Sequence, residues 1–321
     1  MITEESLLKI LKYAAKAPSG HNTQPWIFKP GNDTITVLPD FSRALSVVDA
    51  DNHALYISLG CALENLIIAA NEFDFMTETE FTGDERQPQI EVKLSAAPGT
   101  EKPGLLGYIT KRQVTRGKFK PEKVPYNLLN ELFEETEGVH VRLFLSDEET
   151  ESLTPYIIEG NSLQFGNREF VNELVSWIRF SEKEVMARGD GIWSASMGLP
   201  ATGRFLGKII MKNFVSAGSE EKHLRKLISA SAGFVLFMVE KNDPAHWIKL
   251  GQSFQRFGLL ATKNNISHAH LNMPCEEILV REKLIRDFNL RDLTPLLLIR
   301  FGYSEPMPYS FRRNLSNMIE R

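Results

Sequence analysis

The 321-residue chain predicts an α+β fold of two fused pseudo-repeats, each with an antiparallel or mixed sheet flanked by helices. Three observations carry this. Helical and strand periodicities are mixed along the whole chain. Tyr56-Ile57-Ser58-Leu59-Gly60 and the helix it opens match Trp247-Ile248-Lys249-Leu250-Gly251 at an offset of about 191 residues (247 against 56). In that register Leu63 meets Phe254, Leu66 meets Phe257, Ile68 meets Leu259 and Ala70 meets Ala261. Glu5–Leu11 likewise resembles Tyr126–Leu132. Two matches in the same order favour duplication over the chance likeness of amphipathic helices.

Each element has a local reason. Thr3 before Glu4 and Glu5 starts a helix, with acidic groups at the positive end of its dipole. Leu7, Leu8, Leu11, Ala14 and Ala15 give it one apolar face, and Pro18-Ser19-Gly20 ends it. Trp26–Pro39 reads as a β-hairpin turning at Gly31-Asn32-Asp33. A helix from Asn52 to Glu72 is apolar on more than one side, so it is expected to be deeply buried. Gln89–Leu94 alternates as a strand, and Ala96–Gly107 is a Pro/Gly-rich connection. A basic loop, Lys111–Phe119, precedes a helix predicted over Val124–Glu135 and a strand at His140–Leu145. Ser146 with Glu149 spells a capping box. Residues 166–215 read as helical, then irregular. Gly233–Val239 and Pro295–Phe301 are expected as buried strands and Ala245–Asn264 as a long helix. The predicted division is 1–103 and 104–321.

Composition narrows the function. A net charge of −4 and a pI near 6.0 provide no global field for nucleic acid or anionic membrane, so an anionic ligand needs local arginines. The N-terminus lacks the pattern of a signal peptide, and the apolar runs at Gly233–Val239 and Pro295–Ile299 are too short to span a bilayer. Cys61 and Cys275, without CxxC spacing, read as reduced thiols. A cytoplasmic protein is expected.

The most specific string is Ala17-Pro18-Ser19-Gly20-His21-Asn22-Thr23-Gln24-Pro25-Trp26. Small residues let backbone N–H groups approach a planar ligand, and Asn and Gln amides both donate and accept. The string resembles the helix-end loop of nitroreductase-family flavoproteins, where Ser-x-x-Asn-x-Gln-Pro-Trp lies against the flavin ring. Asp40-Phe41-Ser42-Arg43, Asp49, Asp51 and the helix Tyr56–Asn71 extend the likeness to the twin-domain, Acg-like branch. In ordinary members an Arg-Arg-Ser-x-Arg segment grips the FMN phosphate and a second subunit supplies the ring loop. Here the first half has the loop without the arginines, and the second has Arg112–Arg116 without the loop. The resemblance therefore implies one complete FMN site and one degenerate site per chain, with the chain a monomer or homodimer.

Two arginines four apart suit bidentate bonds to a phosphate. Ser310-Phe311-Arg312-Arg313 after Phe301-Gly302-Tyr303 resembles the family's C-terminal arginine signature. The expected cofactor-binding residues are Pro18, Ser19, Gly20, Asn22, Gln24, Arg112, Gln113, Thr115, Arg116, Arg312 and Arg313. Val114 stands where the family has its phosphate-binding Ser, which shifts that hydroxyl contact to Thr115. Residues 177–214 resemble a lid, with Trp193 as ring cover, and His21 sits beside the ring loop.

His268-Ala269-His270 reads as a bland loop pair, so no metal is expected. No dinucleotide fingerprint, phosphate loop or nucleophile elbow is present. The implied activity is that of an FMN-dependent oxidoreductase. Hydride passes in a ping-pong cycle from NAD(P)H through flavin N5 to a nitroaromatic, quinone or similar small acceptor, with no catalytic side chain required. The alternative is a protein that sequesters FMN under a closed lid.

Overall fold

A computed structural model of the protein describes residues 2–84, 87–198 and 217–320. The chain begins α1 (Glu4–Ala14), β1 (Trp26–Pro30), β2 (Thr34–Pro39), α2 (His53–Glu72), β3 (Phe75–Asp84) and β4 (Gln87–Ala96). It continues α3 (Leu106–Ile109), α4 (Tyr126–Asn130), β5 (Val139–Phe144), α5 (Asp147–Ser152), α6 (Thr154–Gly166) and α7 (Arg168–Trp177). Then come β6 (Ile178–Arg179), α8 (Glu182–Arg188), β7 (Ile192–Trp193), α9 (Ala217–Ser229), β8 (Gly233–Val239) and α10 (Pro244–Lys263). Last are β9 (Ser267–His270), α11 (Met273–Glu276), α12 (Ile278–Asp287) and β10 (Thr294–Gly302).

The fold is α+β, with two four-stranded antiparallel sheets among the described residues, ordered β1-β2-β4-β3 and β5-β8-β10-β9. Counted along the chain, each sheet runs first, second, fourth, third. In each, a 20-residue helix, α2 or α10, joins the second strand to the third. A helix also precedes the first strand of each, and α5 to α9 interrupt the second repeat between β5 and β8. Among the described residues the short β6 and β7 pair in parallel, and isolated parallel bridges join Phe28 to Ile319 and Val114 to His268.

The two long helices meet at their glycines. A Cβ on Gly60 would lie 2.0 Å from the Ile248 carbonyl oxygen, and one on Gly251 would lie 2.1 Å from that of Ile57. Since 57 and 60 correspond to 248 and 251 at the offset of 191, the contact is self-complementary, as across a two-fold axis. The Cys61 thiol donates to the Gly251 carbonyl at 3.2 Å. Further along, Gln255 donates to Asn65 at 2.6 Å, while Arg256 pairs with buried Glu64 at 2.6 Å. Burial pushes the Glu64 carboxyl up despite the pull of Arg256. By length and composition α2 could cross a membrane, but 89% of its apolar window is buried within the protein.

The capping box at Ser146 and Glu149 forms, and Thr3 caps α1. Two expectations need correction, and one strand was not foreseen. The helix predicted over Val124–Glu135 is helical only at Tyr126–Asn130. Beyond it Leu132 is buried and Phe133 stacks on Phe257 at 5.2 Å from non-helical chain. The histidines at 268 and 270 lie in strand β9, not in a loop. β3 was not foreseen, because its largely exposed residues hide the apolar alternation.

The end of the described chain returns to the first sheet. Phe28 N–H donates to the Met318 carbonyl at 2.7 Å and Glu320 N–H to that of Phe28 at 2.9 Å, extending the sheet beyond β1. Because the α2–α10 crossing has no room for a side chain, Gly60→Val and Gly251→Val should each destabilise the protein by about 3 kcal/mol or more. Urea unfolding measures this; an unchanged midpoint would show that the helices can separate freely.

Candidate functional site

The segment after α1 is held in an unusual backbone conformation. His21, Asn22 and Gln24 have φ of 46°, 56° and 55°, the left-handed region that costs a non-glycine residue about 1–3 kcal/mol each. Neighbouring groups over-determine it. Gln24 N–H donates to Ser19 Oγ at 2.9 Å, and the Gln24 amide donates to the Gly189 carbonyl at 2.9 Å. Arg313 N–H donates to Gln24 Oε1 at 2.9 Å, and Arg313 Nη2 to the Gln24 carbonyl at 2.7 Å. Asn22 Nδ2 donates to the carbonyls of Gly191 at 2.9 Å and Phe311 at 3.1 Å. Gly189 must be glycine: its φ is 66°, and a Cβ would lie 2.5 Å from the Arg312 carbonyl.

Asp190 anchors this arrangement. Its carboxylate accepts from Arg179 at 2.7 Å and pairs with Arg43 at 2.5 Å. Burial alone would raise its pKa, but the two guanidinium groups hold it below the usual range. The stretch from β6 to β7 is thereby pinned against the ring loop.

Two adjoining cavities open beside the loop. The first, of about 210 Å³, is lined by Lys16, Arg112, Arg116 and Arg312 together with Ser19 and Asn22, and no described carboxylate lines it. Arg112 is buried with Nε and Nη1 unpartnered, and Arg312 Nε is also buried without a partner. Burial pushes Arg112 down to about 10, burial with help from the Arg112 cation pushes Arg312 down to about 9, and burial lowers Arg116 as well. Buried cations without counter-charge are strongly unfavourable unless an anion arrives.

The second cavity, of about 310 Å³, is largely apolar, with Leu45, Ile57, Phe254 and Leu297 in its wall. His21, His53 and His270 also line it. Pro18, Ser19, Val114, Arg116 and Ile192 border both cavities and join them. Burial, followed by the charge of Arg116, pushes His21 down to about 4 and His270 to about 3, so both are neutral near pH 7.

Of the residues expected to bind cofactor, Pro18, Ser19, Asn22, Arg112, Gln113, Arg116 and Arg312 line the first cavity, and Gly20 lines the second. His21 also lines the second. Gln24 and Arg313 do not line either; their polar groups bond each other and clamp the loop. Thr115 is buried and faces neither cavity, and its N–H donates to the His268 carbonyl at 2.9 Å. Trp193 is set edge-on to Phe311 at 5.7 Å, while the preceding Ile192 faces the cavities, as alternation along a strand requires. Residues 199–214 of the expected lid lie outside the described residues.

Sequence reasoning missed His53, Asp51 and Asp49. Ligand-type atoms of the three gather within 4.8 Å of one another. Asp49, however, already accepts from the N–H groups of Ala54 at 2.8 Å and Leu55 at 2.9 Å, capping α2. The available signal was an Asp-x-Asp-x-His string just before an apolar helix.

No family model matches the chain. Two curated proteins of Mycobacterium tuberculosis, from strains CDC 1551 / Oshkosh and H37Rv, are 21% identical over 330 residues, covering 98% of this chain and 91% of theirs. Their names provisionally assign them as NAD(P)H nitroreductases. Among solved structures, a nitroreductase-like family protein from Bacillus cereus is 14% identical with a TM-score of 0.42, covering 69% of this chain and 97% of its own. The FMN-dependent nitroreductase of Mycobacterium smegmatis in complex with NADPH is 16% identical with a TM-score of 0.43, covering 67% and 96%. This chain is thus similar along almost its whole length to proteins named for nitroreductase activity.

Proposed function

We propose that the chain is an FMN-dependent oxidoreductase of the nitroreductase type, with one flavin per chain and residues 1–103 and 104–321 as its two halves. The observation that carries this reading is the cluster of Arg112, Arg116 and Arg312 in a wall with no described carboxylate, where Arg112 Nε and Nη1 and Arg312 Nε are buried without partners, abutting an apolar cavity under the ring loop. The donor set fits FMN at both ends. A dianionic phosphate satisfies the orphaned guanidinium groups, and a flat ring system suits the apolar wall beside Pro18, Ser19 and Gly20.

When bound, FMN supplies hydride chemistry between NAD(P)H and a small acceptor such as a quinone or nitroaromatic. The chain's own residues would do the rest. Arg112, Arg116 and Arg312 hold the phosphate, with Lys16 adding charge. Asn22 keeps Oδ1 buried and unpartnered, able to accept a hydrogen bond from the flavin. The ring loop is rigid before any ligand arrives, because its strained residues are tied to Gly189, Gly191 and Arg313. Rigidity of this kind lowers the ordering cost of binding.

The purified protein should carry about one FMN per chain, seen as absorption near 370 and 450 nm, and excess NADH or NADPH should bleach it without oxygen. A colourless protein that also refuses added FMN would remove the basis of the proposal.

Arg112 provides a sharper test. Arg112→Met should weaken FMN by about 10–100-fold, the worth of a charged hydrogen bond, while leaving riboflavin affinity almost unchanged. The same variant should make the flavin-free protein more stable by roughly 1–4 kcal/mol, since an unpaired buried charge is gone. Fluorescence titration and urea unfolding measure the two effects. Equal losses for FMN and riboflavin would argue against a phosphate at Arg112.

A further inference from the structure

We propose that His53 is the acid that protonates the electron acceptor in the second cavity, with Asp51 as its positioning residue. This rests on the flavin oxidoreductase reading above.

The geometry starts from the entrance to α2. Asn52 is left-handed, with φ of 64°, which folds the preceding turn back over the first helical residue. Asp51 Oδ1 then lies 2.5 Å from His53 Nδ1, and Asp49 Oδ1 lies 3.2 Å from the same nitrogen. A carboxylate at Nδ1 fixes the proton there and stabilises the imidazolium. The opposite nitrogen, Nε2, is buried and unpartnered, and the residue is 3% exposed. His53 lines the second cavity together with Ala54, Ile57, Ser58 and Cys61, which share one face of α2.

Asp49 is pushed up to about 6 by burial, but both its carboxyl oxygens are taken by the Ala54 and Leu55 N–H groups, and the other protic groups of that cavity are also unsuited to the task. His21 and His270 have no carboxylate partner, and burial beside Arg116 keeps them neutral. The Cys61 thiol is pushed up to about 12 by burial and already donates to Gly251. Ser58 donates to the Ala54 carbonyl at 2.6 Å. Glu276 accepts from Gln164 at 2.7 Å and from Asn272 at 3.1 Å. The groups facing His53 are Asp49 and Asp51 from the turn, Arg281 from α12 and the Trp247 ring of α10, whose centroid is 6.2 Å away. Burial pulls its pKa down, the two carboxylates outweigh it with Arg281 opposing them, and the net shift is upward.

The step balances for a quinone. Bound FMN, recharged by NAD(P)H, would supply the hydride, two electrons and one proton, that turns the quinone into a hydroquinone monoanion. Breaking the Nε2–H bond of the His53 imidazolium and forming the oxygen–hydrogen bond gives the neutral hydroquinone. The imidazole is left neutral and regains its proton from water when the product leaves.

The test combines histidine NMR with stopped-flow kinetics on the flavin-loaded protein. His53 should titrate above its ordinary value of 6.5, and Asp51→Asn should lower that pKa. Reoxidation by benzoquinone should slow as pH rises through the His53 pKa, because the donor is the charged form. His53→Gln should abolish that limb and slow reoxidation by about 100-fold or more, with the loss confined to this step. Asp51→Asn should keep the limb but move it to lower pH, which a merely structural role would not do. Reoxidation of His53→Gln at the wild-type rate, or a His53 resonance indifferent to Asp51→Asn, would overturn the proposal while leaving the flavin reading intact. A protein that never takes up flavin would overturn both.

Discussion

Everything in this fold hangs on the contact between α2 and α10 at Gly60 and Gly251. Each glycine meets a carbonyl of the opposite helix at a distance that excludes a side chain, so the two backbones touch. The contact fixes the spacing of the helices, and each helix links an inner strand of its own sheet to the far edge strand. One close crossing therefore sets the relation between two repeats that share the strand order first, second, fourth, third. Polar pairs farther along, Asn65 with Gln255 and Glu64 with Arg256, are geometrically demanding and restrict the register of the crossing.

The candidate site grows out of the same helix pair. The first turns of α2 supply Ala54, Ile57 and Ser58 to the second cavity, and α10 supplies Phe254. Against this rigid wall the protein tolerates features that oppose folding: left-handed residues in the ring loop and buried arginines without counter-charge. Such local conflict with stability is expected where a ligand is to complete the structure. Left-handed residues and unpartnered arginine atoms coincide at the cavities, although Arg300 of β10 and Gln255 of the helix crossing also keep buried polar atoms without partners.

Much of this was legible beforehand. Duplication was visible because α2 and α10 are bound by the same packing constraint, which preserves Gly60 and Gly251 at matching positions. The ring loop stood out because its residue types and spacing are specific. Side-chain type alone did not say which residues face the cavities. Gln24 and Arg313 look like ligand donors, but each side chain is taken up by backbone groups, the Gln24 amide by Arg313 N–H and the Gly189 carbonyl, the guanidinium by the Gln24 carbonyl. Ile192 and Trp193 are neighbours, and only strand alternation decides which faces the cavities. His53 was invisible as a functional residue because its meaning depends on a turn that brings Asp51 to one nitrogen and a cavity shared with distant strands.

The clamp on the ring loop has a kinetic consequence. Asn22 bonds Phe311, and Gln24 bonds Arg313, across a separation of 289 residues. Contacts of such range carry a large loop-closure penalty and form only after the segments between them are ordered. The helix pair and the local hairpins can assemble first, whereas Arg312 reaches Arg112 and Lys16 only when the tail docks. An incompletely folded chain thus lacks the full arginine cluster, and a phosphate held there would report that the last long-range contacts have closed.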